Sequence, residues 1–150
     1  MASTGQRSSV PVVYTCGYQG RDSTNLLAEV SRRGIRLLID VRWKPLSRKP
    51  GFSKGRLKIQ AGEFRLWYIH VPELGIPDTE RREHGQKGGV LLAYERRITE
   101  NPPAELERIA ELARRYPVAL MCFEADPEEC HRAVLAAVIA EQIGASVVDL

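Results

Sequence analysis

Long apolar runs are missing from this chain of 150 residues. No stretch approaches the roughly 18 consecutive apolar residues of a membrane-spanning helix, so a helical membrane protein is excluded. The first ten residues are polar and lack the apolar centre of a secretory signal. They read as a short loose arm, residues 1–9, on a cytoplasmic protein. Cysteine is scarce and odd in number: the three residues Cys16, Cys122 and Cys130 have no framework spacing, which favours free thiols over bridges. Asparagine occurs only twice, and lysine is rare beside seventeen arginines, a thermophile-like balance. Acids are nearly absent from residues 32–65, where eleven Lys/Arg face only Asp40 and Glu63. The rest of the chain reverses this: residues 66–150 carry nine Lys/Arg against fifteen acids, and residues 1–31 balance. A net charge of only +3 therefore hides a basic segment. Such a field attracts anions, phosphate above all. The other reading is a solvated basic loop balanced by acidic helices.

What is present suits one soluble domain, residues 10–150. Val10 to Thr15 is a β-branched run that ends in a Cys16-Gly17-Tyr18 turn. Asp22 then offers an N-cap, Leu26, Leu27 and Val30 follow at helical spacing, and Gly34 closes the helix. Ile35 to Val41 is a second strand, so these elements make a βαβ unit with parallel strands. Residues 42–65 are irregular and basic, with a helical turn or two over Lys54 to Gln60. Phe64 to Val71 alternates as a third strand, and residues 72–89 form a long polar loop. Helices are expected over Val90 to Ile98 and Ala104 to Arg115. Pro117 to Phe123 is apolar throughout, as a central parallel strand should be. Ala133 to Ile143 is helical up to Gly144, and Ser146 to Leu150 is the last strand. There is no internal repeat or low-complexity segment. The fold class is α/β: a single three-layer, Rossmann-like domain with a mainly parallel sheet.

Two clusters fall at the carboxyl ends of strands, where ligands of such folds bind. The first is Met121 to Arg132, with two cysteines, a histidine, an arginine and four carboxylates. Asp126-Pro127 is a strong helix start, with Glu129 completing a variant capping box. That start would place Cys130, His131 and Arg132 just past the first helical turn. Three readings compete. One is thiol chemistry, with Cys122 near a helix N-terminus and His131 as base, although the local acids oppose an electropositive thiol site. One is a metal site from Cys122, Cys130 and His131, hindered because adjacent helical residues point about 100° apart. One is structural, with Cys130, Val134 and Val138 on a single core-facing stripe. His131 and Arg132 are cationic-capable groups near a helix start, where the dipole prefers anions. An anionic ligand or the local carboxylates would account for them, as would an Arg132–Glu128 pair.

The second cluster, Asp40 to Phe52, leaves the second strand. Asp40 ends an apolar strand, so it needs a partner, and Arg42 is the nearest. Ser47 and Arg48 form a forked anion grip. Trp43, Phe52, Phe64, Trp67 and Tyr68 add aromatic faces that suit either base stacking or a small core.

Thr15-Cys16-Gly17-Tyr18, Asp40-Val41-Arg42-x-x-Pro45-x-Ser47-Arg48-x-x-x-Phe52-Ser53-Lys54, Leu74-Gly75 and Met121-Cys122-x-Glu124-x-x-Pro127-x-x-Cys130-His131-Arg132 together resemble the domain of unknown function 488 family. The resemblance runs in order from about residue 12 to the end. It implies an α/β domain with these residues as its signature, and no reaction. Two departures stand out: Ile76 follows Leu74-Gly75 where the family often has a second glycine, and Asp149 stands where members often carry a histidine in the last strand.

One cleft is expected to gather Tyr18, Asp40, Arg42, Ser47, Arg48 and Arg132 around a phosphate-bearing ligand, a nucleotide or a nucleic acid. Glu124, His131 and Cys122 are the candidates for chemistry upon it. No cofactor and no metal are assigned. The alternatives are a non-catalytic interaction module docking through the basic 42–65 loop, and a thiol- or metal-dependent enzyme using Cys122 and His131.

Overall fold

The computed structural model describes residues 10–150, so the proposed arm at residues 1–9 lies outside it. Five strands form one sheet: β1 Val12–Gly17, β2 Leu37–Asp40, β3 Trp67–His70, β4 Val118–Cys122 and β5 Ser146–Asp149. Their spatial order is β3-β2-β4-β1-β5, and every pairing is parallel. β1 and β2 are parallel as expected but not adjacent. β4, whose five residues are all buried, lies between them. A strand covered on both faces needs that continuous apolar character.

Among the described residues there are six helices: α1 Ser23–Arg32, α2 Lys54–Glu63, α3 Asp78–His84, α4 Lys87–Glu100, α5 Ala104–Arg115 and α6 His131–Ile143; all but α3 pack on the sheet. One core packs Leu26, Leu27 and Val30 of α1 and Leu57 and Ala61 of α2 against Cys16, Leu38, Ala119 and Met121. The other packs Tyr94, Ile98, Ile109, Leu135 and Ile139 of α4, α5 and α6 against Val13, Ile39, Val118 and Leu120. Alternate residues of β1, β2, β3 and β4 feed opposite cores, as the period of two requires. The result is a three-layer sandwich. Among the described residues no helix is long and apolar enough to cross a membrane.

Several boundaries differ from expectation. The 42–65 segment contains a full helix, α2. The 72–89 stretch is not a plain loop, because it holds a 3-10 turn, Pro72–Leu74, and the short helix α3. Asp126-Pro127 starts only a 3-10 turn, Pro127–Glu129, with the Asp126 carboxylate accepting from the Glu128 N–H at 3.0 Å. Cys130 then adopts an extended backbone (φ −129°, ψ 143°), and α6 begins one residue later. The capping signals are satisfied by the short turn, and Cys130 becomes the N-cap of the longer helix.

The topology fixes where a ligand can enter. The connections leaving β1 and β2 cross one face of the sheet, and those leaving β3 and β4 cross the other. At the carboxyl ends of β2 and β4 neighbouring strands therefore send their chains in opposite directions. A crevice opens at such a switch point.

Candidate functional site at the carboxyl edge of the sheet

β2 delivers Asp40 and Arg42 to this edge. Asp40 is fully buried, and its carboxylate accepts from Arg42 Nε at 2.8 Å and Nη2 at 2.7 Å. Tyr68 OH donates to the same carboxylate at 2.5 Å, and Arg42 Nη1 donates to Tyr18 OH at 3.3 Å. The partner expected for Asp40 is therefore Arg42, in a bidentate pair that suits a planar guanidinium. Burial penalises the Arg42 cation, but the Asp40 hydrogen bonds and charge outweigh that and hold its pKa above the ordinary value. Burial and the bond to Asp40 push the Tyr68 phenol upward as well.

Two histidines anchor the backbone just after β2. His131 Nε2 lies 2.8 Å from the Val41 carbonyl, and His70 Nε2 lies 2.7 Å from the Arg42 carbonyl. A carbonyl can only accept, so both Nε2 atoms carry the proton. His131 Nδ1 is then a free lone pair. It faces Cys122 Sγ at 3.8 Å and Cys130 Sγ at 3.9 Å. The ring is further held edge-on against Tyr94, whose hydroxyl donates to the Leu74 carbonyl at 2.6 Å. The two sulfurs and the nitrogen all lie within 4.8 Å of one another. Adjacent helical residues point about 100° apart, but Cys130 is not helical. As the extended N-cap, Cys130 turns its sulfur back toward the sheet.

The thiol pair is asymmetric. The adjacent Cys122 thiol holds the Cys130 pKa below its ordinary value, against the effect of burial. Cys122 is pushed the other way by the neighbouring Cys130 and by burial. Burial and the charge of Cys130 raise the Glu124 carboxyl. Cys16 faces the opposite core, and its burial pushes the thiol up to about 12.

Arg132 does not reach the crevice. It is fully buried, and Nη1 and Nη2 donate to the Glu124 and Ala125 carbonyls at 2.5 and 3.3 Å, while Nε has no acceptor. Its guanidinium shapes the loop after β4 from behind, with the two carbonyls rather than Glu128 as its partners. Gly17 is the other half of that contact: a Cβ there would stand 1.8 Å from the Glu124 carbonyl oxygen and 2.9 Å from Arg132 Nη1. Gly75 is similarly constrained, with Trp43 N 2.5 Å from the position of a Cβ. Ser47 accepts from the Lys49 N–H at 3.0 Å and closes a turn, and Arg48 is exposed beside it. Neither borders the crevice.

Two adjoining cavities of about 260 and 270 Å³ make up the crevice and share Ile76, Arg81, Glu124 and His131. Cys130 and Lys87 border the first, and Tyr18, Arg42, Lys44 and Cys122 border the second. Of the expected site residues, Tyr18, Arg42, Cys122, Glu124 and His131 come together here. Asp40 lies beneath Arg42. Arg81, Lys44 and Lys87 are additions. Lys44 and Lys87 pair with Asp78 at 2.6 Å and Glu129 at 3.5 Å. Arg81 has no ion-pair partner among the described residues. Arg81 lies on α3, a short helix with no buried residue inside a segment expected to be loop.

No curated protein and no solved structure matches the chain. The family model described as domain of unknown function DUF488 matches residues 24–139, a span that includes β2, β4, both cysteines of the cluster and His131, and the chain belongs to that family.

Proposed function

We propose that the crevice binds a phosphate-bearing ligand, a nucleotide or the end of a nucleic acid, and that Glu124 moves a proton on it. The observation that carries this reading is Arg81, an exposed cation without a carboxylate partner that borders both cavities. Lys44 and Lys87 stand on the same walls. Their ion pairs are exposed, and such pairs contribute only about 0–1 kcal/mol, so an incoming phosphate can displace the carboxylates. Arg42 would contribute charge from the floor while remaining bound to Asp40. Glu124 is half-buried, and burial and the neighbouring Cys130 raise its pKa, the direction suited to a carboxyl that donates a proton. His131 has a different task here, because one nitrogen holds Val41 and the other faces sulfur.

The test is equilibrium binding of inorganic phosphate, nucleoside mono- and triphosphates and short oligonucleotides at low and high salt. Binding is expected to weaken with salt and to weaken about tenfold in Arg81→Ala, the loss of one charge-assisted contact. If wild type binds none of these at low salt, the reading fails.

A further inference from the structure

The thiol–imidazole cluster does not depend on what the crevice binds. We propose that Cys122 Sγ, Cys130 Sγ and His131 Nδ1 form a site for one thiophilic divalent cation, with zinc the best fit and one coordination position open to the crevice. Three observations support it.

The first is distance. Tetrahedral zinc with bonds of about 2.3 Å to sulfur and about 2.0 Å to nitrogen sets its ligand atoms about 3.5 Å (S to N) and about 3.8 Å (S to S) apart. The observed S to N separations are 3.8 and 3.9 Å, and all three atoms fit within 4.8 Å. Closing onto an ion requires shifts of tenths of an ångström at the sulfur–nitrogen edges, and at most about 1 Å between the sulfurs.

The second is the outer layer of contacts. A metal-bound histidine ordinarily donates its other N–H to a carbonyl or carboxylate, which fixes the tautomer and aims the lone pair. His131 has that arrangement through Val41, and Tyr94 packs against the ring. The three ligand residues come from the end of β4, the N-cap of α6 and its first residue, all supported by regular elements.

The third is access. Cys122, Cys130 and His131 are almost entirely buried, yet each borders one or both cavities beside Glu124. A buried Cys2His set with its fourth side toward a polar cavity matches an exchangeable site that keeps a water or ligand, whereas structural zinc sites are closed by four protein ligands. Soft thiolates with an imidazole select zinc over calcium or magnesium, which need oxygen.

The experiment uses the full chain, reduced and stripped with chelator, titrated with Co²⁺ and then Zn²⁺. One equivalent of cobalt should develop thiolate-to-metal absorption with the intense visible bands of tetrahedral coordination, and zinc should displace it. Cys122→Ser and Cys130→Ser should lose affinity by on the order of 100-fold or more, whereas Cys16→Ala, in the opposite core, should keep it. Wild type supplies an independent readout: zinc should protect two of its three thiols from alkylation. The proposal is overturned if reduced wild type shows no thiolate–cobalt band, if the band persists in the Cys122→Ser/Cys130→Ser double variant, or if the reduced pair takes no metal but closes into a disulfide when treated with an oxidant.

Discussion

His131 donates to the Val41 carbonyl across 2.8 Å and 90 residues of sequence. This bond ties the start of α6 to the end of β2. It also decides the chemistry of the ring, because it leaves the Nδ1 lone pair directed at two sulfurs. The two signature segments of the chain thus meet as one structure rather than as separate motifs. His131→Ala would leave a buried carbonyl unsatisfied, at a cost of about 1–3 kcal/mol. His131→Gln, which can keep a donor toward Val41, should recover part of that loss. Urea unfolding of the metal-free chains measures both.

The buried Asp40–Arg42 pair gives a sharper mechanical prediction. Removing one partner strands a charge in the floor of the crevice, so Asp40→Ala and Arg42→Ala should each destabilise the protein by about 3–5 kcal/mol. Replacing both by leucine should cost less than the sum of the two single losses, since no charge is then left alone. A double-mutant cycle by chemical denaturation gives the coupling.

Gly17 and Gly55 should respond in opposite directions to alanine. At Gly17 the new methyl would collide with the Glu124 backbone, which must shift. We expect a loss of about 3 kcal/mol and altered ligand binding, because Glu124 moves with its backbone. Gly55, in α2, has open space around a new Cβ. Gly55→Ala should stabilise by about 0.5 kcal/mol. Thermal melts of the two variants separate these outcomes.

Cys16 links stability to alkaline pH. Its folded pKa is raised from 9.0 to about 12 by burial, so the folded state disfavours the thiolate. The stability associated with the neutral thiol is fully present below 9.0 and is lost as pH rises toward 12. Cys16→Ala removes this titration. Its unfolding free energy should therefore fall less steeply than that of wild type over that window, by about 1.4 kcal/mol per pH unit. Parallel urea curves across the range read the difference directly.

The sheet was legible because its central strands are continuous apolar runs bounded by turns. The convergence of Tyr18, Arg42, Cys122, Glu124 and His131 at its carboxyl edge followed from that. The Asp40–Arg42 pair was legible too, since a carboxylate at the end of a buried strand requires a cation. What sequence misplaced was local. Asp126-Pro127 carries every sign of a helix start, but a 3-10 turn of three residues uses those signs up. Cys130 consequently becomes an extended N-cap rather than part of a helical stripe. Arg132 was expected to face a ligand, and its burial behind Gly17 depends on β1 lying next to β4, a long-range pairing that no local pattern reports. Arg81 went unnoticed because α3 is short, polar on all sides and has no buried residue, so it has no apolar periodicity to mark it.

A phosphate-bearing ligand in the crevice beside Arg81 would have a reporter in the chain itself. Trp43 borders the second cavity, and the only other tryptophan, Trp67, lies in β3 and does not border it. In Trp67→Phe the fluorescence of Trp43 can be followed alone during titration with a nucleoside triphosphate at low salt. The account predicts a saturable change that weakens with added salt and is lost in Arg81→Glu. An unchanged Trp43 signal throughout the titration, or an identical binding curve in Arg81→Glu, would contradict it.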